Sequence, residues 1–283
     1  MLLSCFWFAV MAAIIRYLTP HMNPFEMVFI RNVFALLCSI PWAIRAGALS
    51  KKPQSWDLYF YRTISGIGGM YLLFYALSVI PAPQAIALTF TVPLITTLFA
   101  ILFLGEKVGF HRWTAMFIGF VGVLVILRPG SNSFHYYSLL VVATTICWAM
   151  SNIIIKKMTD ADHPQTIIFI MAILMVPVSL PVAIYVWKTP DMHQLLWLFA
   201  LGVASNQAQN CMITAYTKTD VNVVQPFDFS RLVFISIIAY IFFNEVIDLW
   251  TAIGALIIFS SSMYVIHKDR KERLIEVAEK ATL

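Results

Sequence analysis

Leu104-Gly105-Glu106-Lys107-Val108-Gly109-Phe110-His111-Arg112-Trp113-Thr114-Ala115 and Phe243-Asn244-Glu245-Val246-Ile247-Asp248-Leu249-Trp250-Thr251-Ala252 follow one pattern. In each, a long apolar run closes on a small or turn-forming residue and a glutamate. A short connection follows, and Trp-Thr-Ala opens the next apolar run. The glutamates are 139 residues apart. The same offset carries Gly69 onto Ala208 and Ala76 onto Ala215, and an offset of 140 carries Phe8-Ala9 onto Trp148-Ala149, Arg16 onto Lys156, Thr19 onto Thr159 and Pro24 onto Pro164. A near-constant offset over so much of the chain marks an internal duplication.

What is duplicated is membrane-like. Of 283 residues, 60% are hydrophobic and 12% charged, and the mean hydropathy is +0.82. Soluble domains carry about 25% charge, so most of this surface must face lipid. Breaks at charged or Pro/Gly/Asn-rich stretches leave ten segments near the length of about 20 residues that a spanning helix needs. They are 2–18, 25–44, 58–79, 83–104, 112–128, 135–155, 165–187, 193–216, 221–243 and 247–267. Met1 opens directly onto the first of these with no basic run before it, which reads as a spanning helix rather than a cleaved leader. The expected fold is an all-α polytopic membrane protein: a first repeat over 1–130, a second over 131–267 and a basic tail over 268–283.

Five helices per repeat is an odd number, so the second repeat starts on the opposite face and the halves are expected to be inverted. Cations set the orientation. With a cytoplasmic N-terminus, the inside segments carry Arg45, Lys51, Lys52, Lys107, Arg112, Lys156, Lys157, Lys218, Lys268, Arg270, Lys271, Arg273 and Lys280. The outside segments carry only Arg16, Arg128 and Lys188. Both termini are therefore expected to be cytoplasmic. The tail is expected to lie along the inner surface or to prolong the last helix. Inverted repeats create two equivalent gates around a midplane site, the frame of a transporter working by alternating access.

The runs Phe25-Glu26-Met27-Val28-Phe29-Ile30-Arg31, Leu104-Gly105-Glu106-Lys107, Gly119-Phe120-Val121-Gly122-Val123 with Leu127-Arg128-Pro129-Gly130, and Pro226-Phe227-Asp228-Phe229-Ser230-Arg231-Leu232 resemble bacterial EamA-type members of the drug/metabolite transporter superfamily. The resemblance extends over nearly the whole chain. It implies a bacterial inner-membrane protein with a central cavity between the first four helices of each half, the fifth and tenth helices packing outside. It also implies a small-molecule substrate, since relatives take up S-adenosylmethionine, move riboflavin or export amino acids and other metabolites.

Ionisable residues inside spans are costly and mark candidate sites. Asp228 and Arg231, three apart on the ninth span, share a face and can pair. The preceding Pro226 lacks an N–H and should loosen the helix there. Arg31, two turns into the second span, could hold an anionic group, and Arg62 could serve as gate or interfacial anchor. The eighth span packs Ser205, Asn206, Gln207, Gln209 and Asn210 into six residues, too polar for a lipid-facing helix. Asn206 and Asn210 share a face and suit a hydrogen-bonding ligand; the competing role is glue between helices. The matching stretch of the first half is Gly66-Ile67-Gly68-Gly69, suited to close packing. Trp148 and Asn152, four apart on the sixth span, offer a ring and an amide to the same cavity, and Tyr75, with Tyr71 and Phe90, offers further rings. Glu106 and Glu245 read as closing helix ends and neutralising loop cations, with a gating role as the alternative.

Cys5, Cys38, Cys147 and Cys211 have no CxxC spacing and read as buried thiols. No HExxH motif, phosphate-binding loop or metal-ligand cluster occurs, so no enzyme activity, cofactor or metal is expected. Nucleic acid is excluded as a partner, because no basic stripe lies on a soluble domain. Expected partners are a small polar or zwitterionic solute, membrane lipid, and a proton or counter-substrate. The competing reading, a non-transporting membrane scaffold or sensor, leaves the inverted frame and the mid-span charges without a purpose.

Overall fold

A computed structural model of the chain describes residues 1–45, 55–104, 110–128, 135–159, 164–218 and 225–281. Among these residues the regular structure is all helical, with no strand. The elements are α1 (Leu2–Leu18), α2 (Pro24–Arg45), α3 (Trp56–Val79), α4 in two pieces, α4a (Ala82–Thr89) and α4b (Val92–Leu104), α5 (Phe110–Leu127), α6 (Ser138–Thr159), α7 (Pro164–Tyr185), α8 (Met192–Lys218), a 3-10 turn (Gln225–Phe229) leading into α9 (Ser230–Phe243), and α10 (Leu249–Ala281). Each helix lies on one of the apolar segments read from the sequence. Among the described residues three stretches, Pro24–Pro41, Ala82–Phe103 and Ser138–Ile155, are long and apolar enough by themselves to cross a membrane. Shorter apolar helices include Leu2–Leu18, Trp113–Leu127, Phe169–Tyr185 and Leu249–Tyr264.

The fourth span is not the single helix its hydropathy suggests. Pro93 has no N–H to give the Thr89 carbonyl, and its ring crowds that carbonyl. The helix therefore stops at Thr89 and resumes at Val92. In the gap Phe90 and Thr91 donate their N–H groups back to Ala87 and Leu88, and the hydroxyls of Thr89 and Thr91 bond the carbonyls of Ile86 and Leu88. The ninth span starts irregularly as well, passing from a 3-10 turn to α-helix between Phe229 and Ser230. The 139-residue offset brings α4b onto α9 and Phe90 onto Phe229, so the two interruptions occupy one position in the repeat.

Helix packing follows the same exchange. α1 packs on α8 and α6 on α3; α1 packs on α9 and α6 on both pieces of α4; α2 packs on α8 and α7 on α3. α2 with α7, α5 with α10 and α4a with α9 pair counterparts directly. Small residues set the closest of these approaches. A Cβ on Gly122 of α5 would come within 2.9 Å of the Gly254 carbonyl oxygen on α10, and one on Gly254 within 2.6 Å of the Gly122 carbonyl.

α4a lies at the centre, with Ala82, Pro83, Ala85, Ile86, Ala87, Leu88 and Thr89 all buried. Around it the main apolar cluster gathers Ala9, Ile15, Met27, Leu77, Leu88, Leu198, Leu201, Ile235 and Ile258. The periphery is apolar as well: Phe117 and Phe120 on α5, Ile241 and Phe242 on α9 and Leu256 on α10 are exposed, a surface made for hydrocarbon rather than water. α10 runs on through Ala281, so the basic tail prolongs the last helix. At about 1.5 Å per residue its 33 residues reach roughly 50 Å, well beyond a hydrocarbon core of about 30 Å.

Candidate functional site

The two helix interruptions meet ring to ring. Phe90 and Phe229 stand 4.4 Å apart between centres, and Phe229 in turn stands 4.4 Å from Phe259 of α10. Next to this contact Arg231 pairs with Asp228 through Nη2 and Oδ2, as their i,i+3 spacing allows. The Arg231 guanidinium carbon lies 4.8 Å from the centre of the Phe8 ring on α1 and 5.9 Å from that of Phe90. The Arg231 Nε is buried without an acceptor among the described residues. The Cys5 thiol donates to the Phe227 carbonyl at 3.3 Å and lies 3.8 Å from Asp228 Oδ1. The Asp228 side chain keeps 25% of its surface exposed and Arg231 15%, so the pair borders accessible space.

Arg31 forms a second polar centre, between α2, α3 and α8. Its guanidinium is buried and donates to Ser205, to the Asn32 Oδ1 at 2.9 Å and to the Met70 sulfur at 3.2 Å. Its Nε has no partner, and no carboxylate among the described residues pairs with it. A buried cation held only by neutral groups retains most of its pull on an anion. Ser205 belongs to the polar run of α8, so part of that run serves Arg31.

The other residues singled out from the sequence fall around these centres. Asn206 donates to the Cys38 carbonyl at 3.2 Å, tying α8 to α2. Asn210 is half-buried one turn further along the same face. Asn152 is exposed and donates to the Thr96 hydroxyl at 3.4 Å, linking α6 to α4b. Trp148 lies flush on Gly69, where a Cβ would fall 2.5 Å from its indole nitrogen. Gly66 likewise makes room for the Arg62 guanidinium, since a Cβ there would come 2.6 Å from Arg62 Nη1. The glycine-rich stretch of α3 thus receives two large side chains. Tyr75 stands apart near the end of α3, stacked at 6.2 Å on Phe25 and 6.1 Å from Tyr137. Glu106 lies outside the described residues. The four cysteines are free.

Phe8 and Phe229 were not singled out from the sequence, although both carry signals in the repeat. Phe8 falls on Trp148 and Phe229 on Phe90, aromatic on aromatic, at positions where an apolar helix has no need to repeat its rings.

The EamA-like transporter family matches residues 1–128 and again 135–266. The chain belongs to that family. As an EamA-like protein it is a bacterial membrane transporter of small metabolites, not an enzyme. It is 30% identical to the S-adenosylmethionine uptake transporter of Rickettsia bellii (strain RML369-C), over 90% of this chain and 88% of that one. It is 32% identical to the riboflavin transporter of Vibrio cholerae, over 88% and 86%. The pseudopaline exporter CntI of Pseudomonas aeruginosa is 24% identical, over 90% of each chain. A solved crystal structure superposes with a TM-score of 0.63 over 96% of this chain and 98% of its own, at 16% identity, and shares the fold.

In this EamA-like transporter one end of the helix bundle is tied by Glu245. Its Oε1 accepts from Arg16 of α1, at 2.9 Å from Nε and 2.7 Å from Nη2, and its Oε2 accepts from the Ala82 N–H of α4a at 2.9 Å. Arg16 also donates to the Leu77 carbonyl of α3 at 2.9 Å. Asn244, at φ 54°, turns the chain out of α9 and delivers the glutamate; asparagine tolerates that left-handed conformation better than most residues. The glutamate therefore closes helix ends and neutralises a cation, as its position suggested, and it joins the ends of four helices.

Proposed function

We propose that this EamA-like transporter moves a small zwitterionic or polar metabolite across the bacterial inner membrane by alternating access between two inverted halves, residues 1–130 and 131–267. The observation that carries this reading is the Asp228–Arg231 pair, flanked by Phe8 and Phe90 where the interrupted helices α4 and α9 meet. Transporters build their sites from interrupted helices near the midplane, where freed backbone and side-chain groups can face a solute. Arg31, with no carboxylate partner among the described residues, suits a carboxylate or other anionic group on the same solute. Trp148, Asn152, Asn206 and Asn210 complete the lining, and Tyr75 belongs to its outer rim.

The exchange symmetry of the packing supports the inverted halves, and the distribution of cations supports cytoplasmic termini. On that orientation, the Glu245 ties hold the outer ends of α1, α3, α4a and α9 together, the arrangement of a closed outer gate. The relatives' substrates support S-adenosylmethionine as the first candidate, with riboflavin and exported amino-acid-like metabolites behind it. A proton or counter-substrate drives the cycle, and lipid surrounds it.

Counterflow in proteoliposomes tests the reading, using labelled S-adenosylmethionine, riboflavin and a panel of amino acids. Counterflow of one solute by the wild-type protein, lost in Asp228→Asn, together with loss of net uptake in Arg231→Ala, is the expected result. A protein that binds a solute yet moves none refutes transport.

A further inference from the structure

Asp228 and its neighbours have the makings of a cation site already filled by the chain itself. One carboxylate and the rings of Phe8 and Phe90 converge on a single guanidinium. Aromatic faces attract cations, and more strongly where water is excluded. Yet the guanidinium is poorly anchored. Asp228 is its one hydrogen-bond partner among the described residues, and its Nε is buried without an acceptor. Arg31, by contrast, bonds three side chains. Arg231 also stands on the first turn of α9, next to the 3-10 turn, where a small change in backbone bonding moves a side chain without breaking a helix.

We propose that Arg231 is a tethered substitute for a cationic substrate. An organic cation, a sulfonium or alkylated ammonium group, takes its place on Asp228 between Phe8 and Phe90 while Arg231 swings aside. This rests on the transporter reading of the same site and names the charge of the group that enters it. A bare carboxylate inside the membrane is costly, so the empty carrier reorients with Arg231 on Asp228 and the loaded carrier with the substrate there. Arg231 thereby weakens cation binding by competition, and in return permits the empty carrier to cross.

Proteoliposomes holding the wild type, Arg231→Gln or Asp228→Asn separate these roles. The probes are labelled S-adenosylmethionine and its uncharged thioether, S-adenosylhomocysteine, which lacks the methyl group that makes the sulfur a cation. The wild type is expected to prefer the sulfonium. Arg231→Gln should bind it about tenfold more tightly, the ratio expected on removing one competing charged hydrogen bond. It should also keep exchange against internal S-adenosylmethionine while losing net uptake. Asp228→Asn should no longer tell the two compounds apart. Weaker sulfonium binding in Arg231→Gln, or continued discrimination in Asp228→Asn, overturns the proposal. If the wild type carries neither compound, the choice of substrate fails separately and trimethylsulfonium reads the cation site. It should raise the melting temperature of purified Arg231→Ala but not of the Asp228→Asn/Arg231→Ala double variant, and an equal response of the two overturns the proposal.

Discussion

Phe90 and Phe229 are 139 residues apart in the chain and 4.4 Å apart ring to ring, so equivalent residues of the two repeats touch each other. On the proposed reading of two inverted halves, only positions on or beside the axis relating them can do this. The contact thus marks the centre of the molecule, and the Asp228–Arg231 pair lies beside it.

Rings in contact contribute about 0.5–1.5 kcal/mol beyond their burial. Phe90→Ala and Phe229→Ala should therefore be coupled, the double variant losing less stability than the two single losses added together. Chemical denaturation of the purified protein in detergent measures the cycle. Strict additivity would show that the rings do not support one another. Both single variants should also slow counterflow, because they loosen the wall on which Arg231 rests.

The Glu245 ties predict a change in access. Glu245→Gln loses the ion pair with Arg16 and should favour opening of that end of the bundle by about 1.4 kcal/mol or more, a tenfold shift. In a background without the native cysteines, a cysteine at Leu77 should then react faster with an impermeant maleimide added from outside. Exchanging the charges, with Arg16→Glu and Glu245→Arg together, should restore part of the protection. An unchanged labelling rate would separate Glu245 from gating and leave it a packing role.

Arg31→Leu should insert and fold but transport poorly, since it removes the cation and leaves Ser205 and Asn32 in place. Arg31→Lys, a point charge without the planar fork, should recover only part of the activity. Uptake kinetics, with expression level as the control for insertion, read the result. Wild-type kinetics in Arg31→Leu would take Arg31 out of the site.

Gly69→Ala places a methyl group against the Trp148 indole and should cost about 1–3 kcal/mol by overpacking. Trp148→Phe should relieve part of that cost in the double variant, as read by thermal unfolding. If Gly69→Ala is as stable as the wild type, the indole has room to move and the slot in α3 is not tight.

The sequence revealed the frame more fully than the lining. Ten apolar runs, the paired Leu-Gly-Glu and Phe-Asn-Glu ends and the 139-residue offset are each visible as pattern, because hydropathy and turn residues act locally. The Asp228–Arg231 pair was legible for the same reason, being three residues apart on one helix. Arg16 with Glu245 was not, since 229 positions separate them and nothing in either apolar run says which distant helix end it will meet. Asn206 shows a different limit. Its amide suggested either a ligand or glue between helices, and its bond to the backbone of α2 is a contact that exists only once helices pack. Pro93 did announce the break in α4, but mean hydropathy over the span hid it.

Arg31 has a consequence in electrical terms. Its charge is embedded in the helical bundle without a carboxylate partner among the described residues, so it lies within whatever field the membrane sustains. One elementary charge crossing the full membrane potential is worth about 2.3 kcal/mol per 100 mV. If α2 tilts between the two states and carries Arg31 through a tenth of the field, the empty carrier becomes voltage-sensitive by about 0.2 kcal/mol per 100 mV. Such a protein would show a small charge displacement even with no solute present, and its resting distribution between inward and outward states would be set partly by the voltage of the cell.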